Sequence, residues 1–549
     1  MIELALNIGF KHGVTVNELP SPIVPMTNVT EPVVAFGTAP VHLAQNPAES
    51  NTPILCSTLN EFVEQFGWSD DFDTWTLCEV ARCHFSLYNV APLVCINVLD
   101  TTKHATTGTQ DLANVTNTVK IEGNIINASI KITSGTPATV RTITVTDEDE
   151  PIDIPVTGDF TLTAGDQTLT LTTDYTVAEN KITLTAAGKL KVDGSLTFTA
   201  DDSTFVTLTS DDFSAAYDSD GNTVITFTTD KIVDNEISVT YRELEPIGVT
   251  ASTIIGGVDL MTGKNTGLEV IEDVYPRLGV VPGTIIAPKF STDSAVALTM
   301  AAKSNGINGC FKALAIADLP TSTVTKYSDV SSAKTGSNFS DKHLAVCWPK
   351  VSIGGVQYHL STQLAALMNV VDAEHDLIPY KSPSNEFLRC DSCVLSDGTE
   401  VYLGRDLANY VNSQGVATAL NFGGYRSWLT HVSIYPNDTD PIHFVAVRRM
   451  LNWLGNNLIL NFFSRIDNPM NRVLVDSVVD SARTWLNGLA SRGAILGGDI
   501  AFLEEDNPVT ELTQGHMTFR INVGFALPAV NITFNVQFDS SYFSTLFAA

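Results

Sequence analysis

Positive charge is scarce. The 549-residue chain carries 31 lysines and arginines against 61 acidic residues, a formal net charge of −30, so neither nucleic-acid phosphates nor an anionic membrane is expected as a partner. It has no run of about 18 apolar residues, the length a membrane helix needs, and its first eleven residues show no basic leader ahead of an apolar block. The expectation is a soluble protein, not exported by a classical signal. Cysteines are few and spread out, at 56, 78, 83, 95, 310, 347, 390 and 393. A chain this long needs no staples, which favours reduced thiols in a cytoplasm. With 44% hydrophobic and 17% charged residues the chain is globular, and its length allows roughly three or four domains.

Tryptophan and cysteine are absent from residues 101–245, which instead hold 33 threonines. Short alternating runs such as Thr142–Val145, Thr168–Leu171, Ile182–Leu184, Leu196–Phe198, Val224–Phe227 and Ile237–Tyr241 are separated by turn signals such as Asp193-Gly194. The pattern predicts a separate β domain closed as a sandwich. A faint repeat of roughly 40 residues relates Leu171 to Phe198 with Leu208 to Val239, as expected of a duplicated sheet unit. Residues 146–245 hold 21 acidic and 5 basic residues, a well-solvated decoration; the acidic runs lack the spacing of an EF-hand calcium loop.

The flanks alternate. Strands at 284–287 and 312–317 with a helix over 291–303 predict a βαβ unit, repeated by a strand at 344–347 and a helix around 361–372. Near the C-terminus, Asp440-Pro441 opens a helix whose apolar face is Phe444, Val447, Leu451, Leu454 and Leu458. Asn468-Pro469 opens a second, with Leu474, Val478, Ala482, Trp485 and Leu489. The two ends alternate as strands do: Ile2, Leu4, Leu6, Ile8 and Phe10 at one, and at the other Phe519, Ile521, Val523 and Phe525, then Ile532, Phe534, Val536 and Phe538 after a Leu527-Pro528 break. The second set predicts a hairpin, followed by a tail bearing Phe543 and Phe547. Either these ends pair within their own subunit, or they are arms that add strands to neighbours, since unpaired apolar strands aggregate.

Candidate chemistry fails residue by residue. The glycine spacing before Gly263-Lys264 is wrong for a phosphate loop, and Asn265 replaces the Ser or Thr that would hold Mg²⁺. Cys390 and Cys393 have CxxC spacing without two further zinc ligands. His343, His359, His375, Ser361 and Asp376 share one region, but no nucleophile elbow accompanies them. Catalytic, cofactor-binding and metal sites are therefore all expected to be absent.

In order along the chain, His12–Val16, Val33–Pro40 with its Gly37-Thr-Ala-Pro40 turn, Phe62–Gly67, Ile254–Asp259 with Gly256-Gly-Val-Asp259, Val281–Pro288, Gly423–Trp428, Val447–Trp453 and Arg492–Gly498 resemble the tail sheath protein of contractile-tailed bacteriophages. The likeness spans roughly 400 residues on both sides of the β insertion. Leu429 departs from it, standing where many members carry a small residue. The resemblance implies an α+β multidomain fold: a mixed α/β sheath core, an inserted all-β sandwich-like domain, and extended N- and C-terminal strand arms. The expected segments are an arm (1–20), the first part of the core (21–100), the acidic β insertion (101–248), an α/β domain (249–425), a C-terminal sheath domain (426–530) and a terminal strand and arm (531–549).

It also implies a structural, non-enzymatic function. Subunits polymerise as six-fold helical rings around an inner tube, and the sleeve contracts to drive the tube through a host envelope. The implied partners are further copies of the chain, the tail tube protein, and the baseplate and tail terminator proteins. The implied location is the virion, after assembly in the host cytoplasm. Arg448, Arg449, Arg465, Arg472 and Arg483, cations in an acidic chain, are expected to face the tube. The alternatives are the sheath of a phage-derived bacteriocin or other injection device and, in another class, an α/β enzyme with a β accessory domain.

Overall fold

The computed structural model describes residues 30–135, 140–156, 158–200, 206–228, 231–232 and 236–547. The chain divides into two compact units. One holds Ala35–Ser86 and Pro92–Val270; the other holds, among the described residues, those up to Val34, Leu87–Ala91 and those from Ile271 onward. Strand β1 (Val33–Gly37) crosses the boundary in sequence.

In the first unit, β2 (Pro53–Cys56) pairs antiparallel with β3 (Leu93–Asn97). Between them, helix α1 (Leu59–Phe66) starts at Thr58, whose hydroxyl accepts the Glu61 N–H at 3.2 Å while the Glu61 carboxylate accepts the Ser57 N–H at 2.8 Å. It buries Phe62 and Phe66, whose rings stack at 5.0 Å.

From residue 105 to 244 the unit is built of strands: β4 (Ala105–Leu112), β5 (Thr118–Ile121), β6 (Lys131–Ser134), β7 (Val140–Thr144), β8 (Ile152–Asp153), β9 (Phe160–Ala164), β10 (Gln167–Leu169), β11 (Tyr175–Ala178), β12 (Lys181–Leu184), β13 (Ser195–Ala200), β14 (Val206–Leu208), β15 (Phe213–Tyr217), β16 (Thr223–Phe227) and β17 (Ile237–Leu244). They form two pairs of antiparallel sheets. Strands β4, β5, β6, β14, β15, β16 and β17 make the sheets β14-β6-β17-β4 and β15-β16-β5; the seven from β7 to β13 make β10-β9-β13-β7 and β11-β12-β8. Numbered one to seven within each set, both orders read 4-3-7-1 and 5-6-2. The second set is threaded into the first between its third and fourth strands.

Each pair of sheets closes over its own core. Ile132, Leu208 and Val239 of one sheet meet Ile121, Ile225 and Phe227 of the other. In the inner set Leu162, Leu196 and Phe198 meet Tyr175, Ile182 and Leu184. Thr-rich sequence suits this because alternate positions face water, and β-branched residues favour the pleated surface. The faint repeat is thus a real duplication, with a corrected register. Leu169, not Leu171, is the counterpart of Leu208, since each ends its fourth strand.

One polar clasp is duplicated as well. Asp174, just before the aromatic that opens the fifth strand, accepts the Thr170 N–H at 2.8 Å and the Lys191 ammonium at 2.7 Å. Asp212, just before Phe213, accepts the Thr209 N–H at 2.9 Å and the Lys231 ammonium at 2.8 Å. Both lysines lie between the sixth and seventh strands. The neighbouring ammonium, then the backbone N–H, holds each carboxyl below the usual range.

In the second unit, β18 (Thr284–Ile286), β19 (Leu314–Asp318) and β20 (Leu344–Cys347) run parallel. Helix α2 (Ser294–Ser304) follows β18, capped by the Asp293 carboxylate on the Ala295 N–H at 2.8 Å. The strands are buried throughout and mostly apolar, as parallel strands covered on both faces are, with Thr284 and Asp318 as buried polar residues at their ends. Helix α3 (Leu360–Ala373) is held at its first turn by Asp318, which accepts the Ser361 N–H at 3.0 Å. The predicted βαβ alternation is present within a few residues of its expected bounds.

Candidate assembly surface

The C-terminal part of the second unit holds most of the residues singled out from sequence. Asp440 accepts the Ile442 N–H at 3.0 Å ahead of Pro441, closing a 3-10 turn, and helix α4 (Val445–Phe462) follows. Helix α5 (Arg472–Ser491) begins three residues later than Asn468-Pro469 suggested. Its cap is Asn471, extended at φ −142° and accepting the Leu474 N–H at 3.0 Å. Trp453 of α4 and Trp485 of α5 stack with ring centres 5.6 Å apart, in a core with Met450, Leu454, Leu486, Leu489 and Ile495. The α5 stripe Leu474, Val478, Ala482, Trp485 and Leu489 is buried as predicted.

Against this core lies a sheet of two strands, β21 (Ile495–Ala501) and β22 (Arg520–Phe525), antiparallel with Ile500 opposite Ile521 and Ile495 opposite Phe525. The predicted hairpin of 519–525 with 532–538 does not form. Strand β22 takes β21 as its partner, and residues 526–539 have no regular structure. Ile521, Val523 and Phe525 pack half-buried on the helical core, and Phe519 meets Phe502 at 5.3 Å.

Beyond them every second residue is apolar and open to water: Ile532 is 69% exposed, Phe534 84%, Val536 93% and Phe538 79%. Phe543 is also exposed and meets Phe538 edge-on at 6.0 Å. Phe547 ends a final 3-10 turn, Ser540–Phe547. Ile2, Leu4, Leu6, Ile8 and Phe10 lie outside the described residues. A two-stranded sheet is marginal alone, and beside this one a cavity of about 660 Å³ is lined by Leu458, Phe462, Met470, Leu474, Val478 and Ile521. The arrangement can accept further apolar chain.

The arginines separate into two groups. Arg448 and Arg449 are only 7% and 8% exposed, so the expectation that they present charge outward fails. Arg449 forms a two-pronged pair with Asp372, with Nη1 to Oδ1 at 3.1 Å. Burial lowers the Arg448 guanidinium's affinity for its proton. Arg472 pairs with Asp476 at 2.9 Å, one helical turn on, and Arg483 with Asp499 at 3.1 Å, both in solvent. Arg465 lines the apolar cavity. Sequence gave no sign of Asp372, 77 residues from its partner. It also gave none of Glu31, which accepts the Asn456 amide at 2.8 Å and which burial pushes up to about 8, against the lowering effects of Asn456 and Arg449.

Of the catalytic candidates sharing one region of the sequence, Ser361 donates to Asp318, the His343 ring bonds the Ala313 carbonyl at 3.1 Å, the His375 ring bonds the Val371 carbonyl at 2.7 Å, and Asp376 pairs with Arg492. Among the described residues no helix is long and apolar enough to cross a membrane.

No protein-family model matches the chain. It is 28% identical over 326 residues to the tail sheath protein of Burkholderia phage BcepMu, a match covering 56% of this chain and 65%, slightly under two thirds, of that protein. It is 25% identical over 312 residues to a putative prophage major tail sheath protein of Pseudomonas aeruginosa, covering 55% and 76%. A chain from the anti-feeding prophage baseplate in its contracted state shares the fold, with a TM-score of 0.50 at 10% identity, covering 97% of this chain and 98% of that one. By sequence, then, the chain is a relative of phage and prophage tail sheath proteins.

Proposed function

We propose that the chain is the repeating structural subunit of a contractile tail sheath. It polymerises as six-fold helical rings around an inner tube, with baseplate and terminator proteins at the ends, and its contraction drives the tube through the host envelope. The observation that carries this reading is the row Ile532, Phe534, Val536 and Phe538, four alternating apolar side chains held in water beside a two-stranded sheet. In the assembled sleeve this row and the N-terminal row from Ile2 to Phe10 lie as strands on neighbouring copies. Each buried Phe or Ile contributes about 1.5–3 kcal/mol and each added backbone hydrogen bond about 1 kcal/mol. Such linkers persist while the weaker contacts between globular parts are exchanged on contraction, a two-state change released by a trigger.

Arg465, Arg472 and Arg483 remain the candidates for the tube-facing surface: Arg472 and Arg483 because exposed charge pairs are weak and exchangeable, and Arg465 as a half-exposed cation. The acidic strands of 101–248 act as an inserted domain on the outside of the sleeve, where like charge opposes premature compaction. The remaining segments, 249–425, 426–530 and 531–549, serve as core, C-terminal sheath domain and arm. The test is negative-stain microscopy of the purified chain. Tubular polymers are expected, and a chain that stays monomeric at every salt and concentration tried removes the proposal.

A further inference from the structure

Among the described residues Lys334 is a buried cation without a counter-charge. It lies on the helix Val330–Gly336 and is 6% exposed. Its ammonium donates to two backbone carbonyls, Gln414 at 2.6 Å and Tyr435 at 2.5 Å. Among the described residues no carboxylate pairs with it, although the chain is strongly acidic. Gly415 makes room for it: at φ +70° this residue carries no Cβ, and one built there would stand 2.7 Å from the ammonium nitrogen. Two carbonyls leave one N–H of the ammonium unused.

Lys334 also lines a cavity of about 420 Å³ whose walls include Thr335, Asn338, Ser340, Gln414 and Asn437. Among the described residues no acidic side chain lines it. The groups on offer are hydroxyls, amides and one ammonium, a donor-rich set around a single positive charge. Burying an unpaired ammonium is costly, and an anion entering the cavity would offset that cost.

We propose that this cavity is a binding site for one carboxylate, held by Lys334, the Ser340 hydroxyl and the amides of Asn338 and Asn437. The Thr335 hydroxyl is already given to the Ser331 carbonyl at 2.9 Å, and one Asn437 N–H to Ser340 at 3.1 Å. A single ammonium with neutral donors suits a singly charged group, and no guanidinium is present to grip a phosphate in two-pronged fashion. Burial alone brings the lysine down to about 8. The titratable group facing it is His431, which burial, with His443 and Lys334 nearby, holds down near 4; His443, bonded to His431 at 3.0 Å, is lowered chiefly by burial. Both imidazoles are neutral from pH 7 upward, so binding in that range follows Lys334.

The probe is sodium acetate, titrated against sodium chloride at constant ionic strength, with the thermal unfolding midpoint as readout. Acetate is expected to raise the wild-type midpoint above chloride in a saturable way at pH 7. At pH 9.5 the apparent affinity falls about thirtyfold, as the ammonium near 8 loses its proton. Lys334→Met removes the effect. Because that variant can also misfold, Asn338→Asp is the second arm. Asn338 sits at φ 56°, which Asp tolerates, and an internal carboxylate there raises the starting midpoint and abolishes the response to acetate. Equal effects of acetate and chloride on the wild type, or an undiminished acetate response in Asn338→Asp, would overturn the site. Two sources of carboxylate are separable by polymer growth, an arm that rests on the assembly reading while the melting arm does not. Slower growth in acetate identifies an acidic side chain of a second copy, and unchanged growth identifies a free anion.

Discussion

Replacing Phe534 with serine should leave the isolated subunit untouched and weaken the polymer. The ring is 84% exposed, so little folded-state contact is lost, and the unfolding midpoint of the unassembled chain should stay where it is. On a neighbouring copy, burying that ring is worth about 2–3 kcal/mol, and the four side chains Ile532, Phe534, Val536 and Phe538 together about 8 kcal/mol. Ordering the backbone of that segment costs about 1–2 kcal/mol per residue, so the net gain per arm is a small difference between large terms. Losing about 2 kcal/mol from it raises the critical concentration for assembly roughly thirtyfold. Sedimentation of polymer across a concentration series measures that shift, and circular dichroism melting monitors the monomer. An unchanged critical concentration, or a monomer that melts earlier, would show that the apolar row has another role.

Three further outcomes are expected. Glu31 should make stability fall as pH rises: its carboxyl is pushed from 4.5 to about 8 in the folded chain, so between those values the native state binds more protons than the unfolded state. Glu31→Gln should flatten that slope in urea titrations at pH 5 and pH 8, and a slope identical to wild type refutes the assignment. Breaking the buried Arg449–Asp372 pair by Asp372→Asn should cost about 3 kcal/mol, whereas replacing both partners with apolar residues of similar size should restore most of it; equal losses in the single and double variants would remove the pair as the cause. Joining Gly135 to Val206, which excises the inner set of strands, should leave a soluble protein with the outer β core intact, read by near-ultraviolet circular dichroism and limited proteolysis. Wholesale aggregation would show that the two sets fold only together.

Local patterns proved legible where one chain segment carried its own signal. The α5 stripe and the parallel strands have their periodicity or burial written in consecutive residues, and the duplicated strands repeat a recognisable Leu-Thr…Asp-aromatic phrase. What failed depended on distant partners. The apolar alternation of 519–525 and 532–538 looked like a hairpin, yet β22 pairs with Ile495–Ala501, whose Gly497-Gly498 and bulge near Ile495 hide its strand character. The arginines of α4 read as a charged face because neither Asp372 nor the depth of burial is visible from their own helix. The Lys334 cavity was unreadable for the same reason, since its carbonyl acceptors come from residues 80 and 101 positions away.

The threading of one seven-stranded set into another bears on how the chain reaches its fold. Strands β6 and β14 pair across roughly seventy intervening residues, yet loop-closure entropy grows only logarithmically, about 0.6 kcal/mol per doubling of length. The real difficulty is kinetic, because distant pairings are slow to find each other. The inner set removes much of it. Its hairpins β9–β10 and β11–β12 are local, and its longest pairing, β7 with β13, still lies wholly in chain made before β14. The inner set can therefore condense first, as the ribosome delivers it, and draw the ends of the outer set together before β14 emerges to be paired.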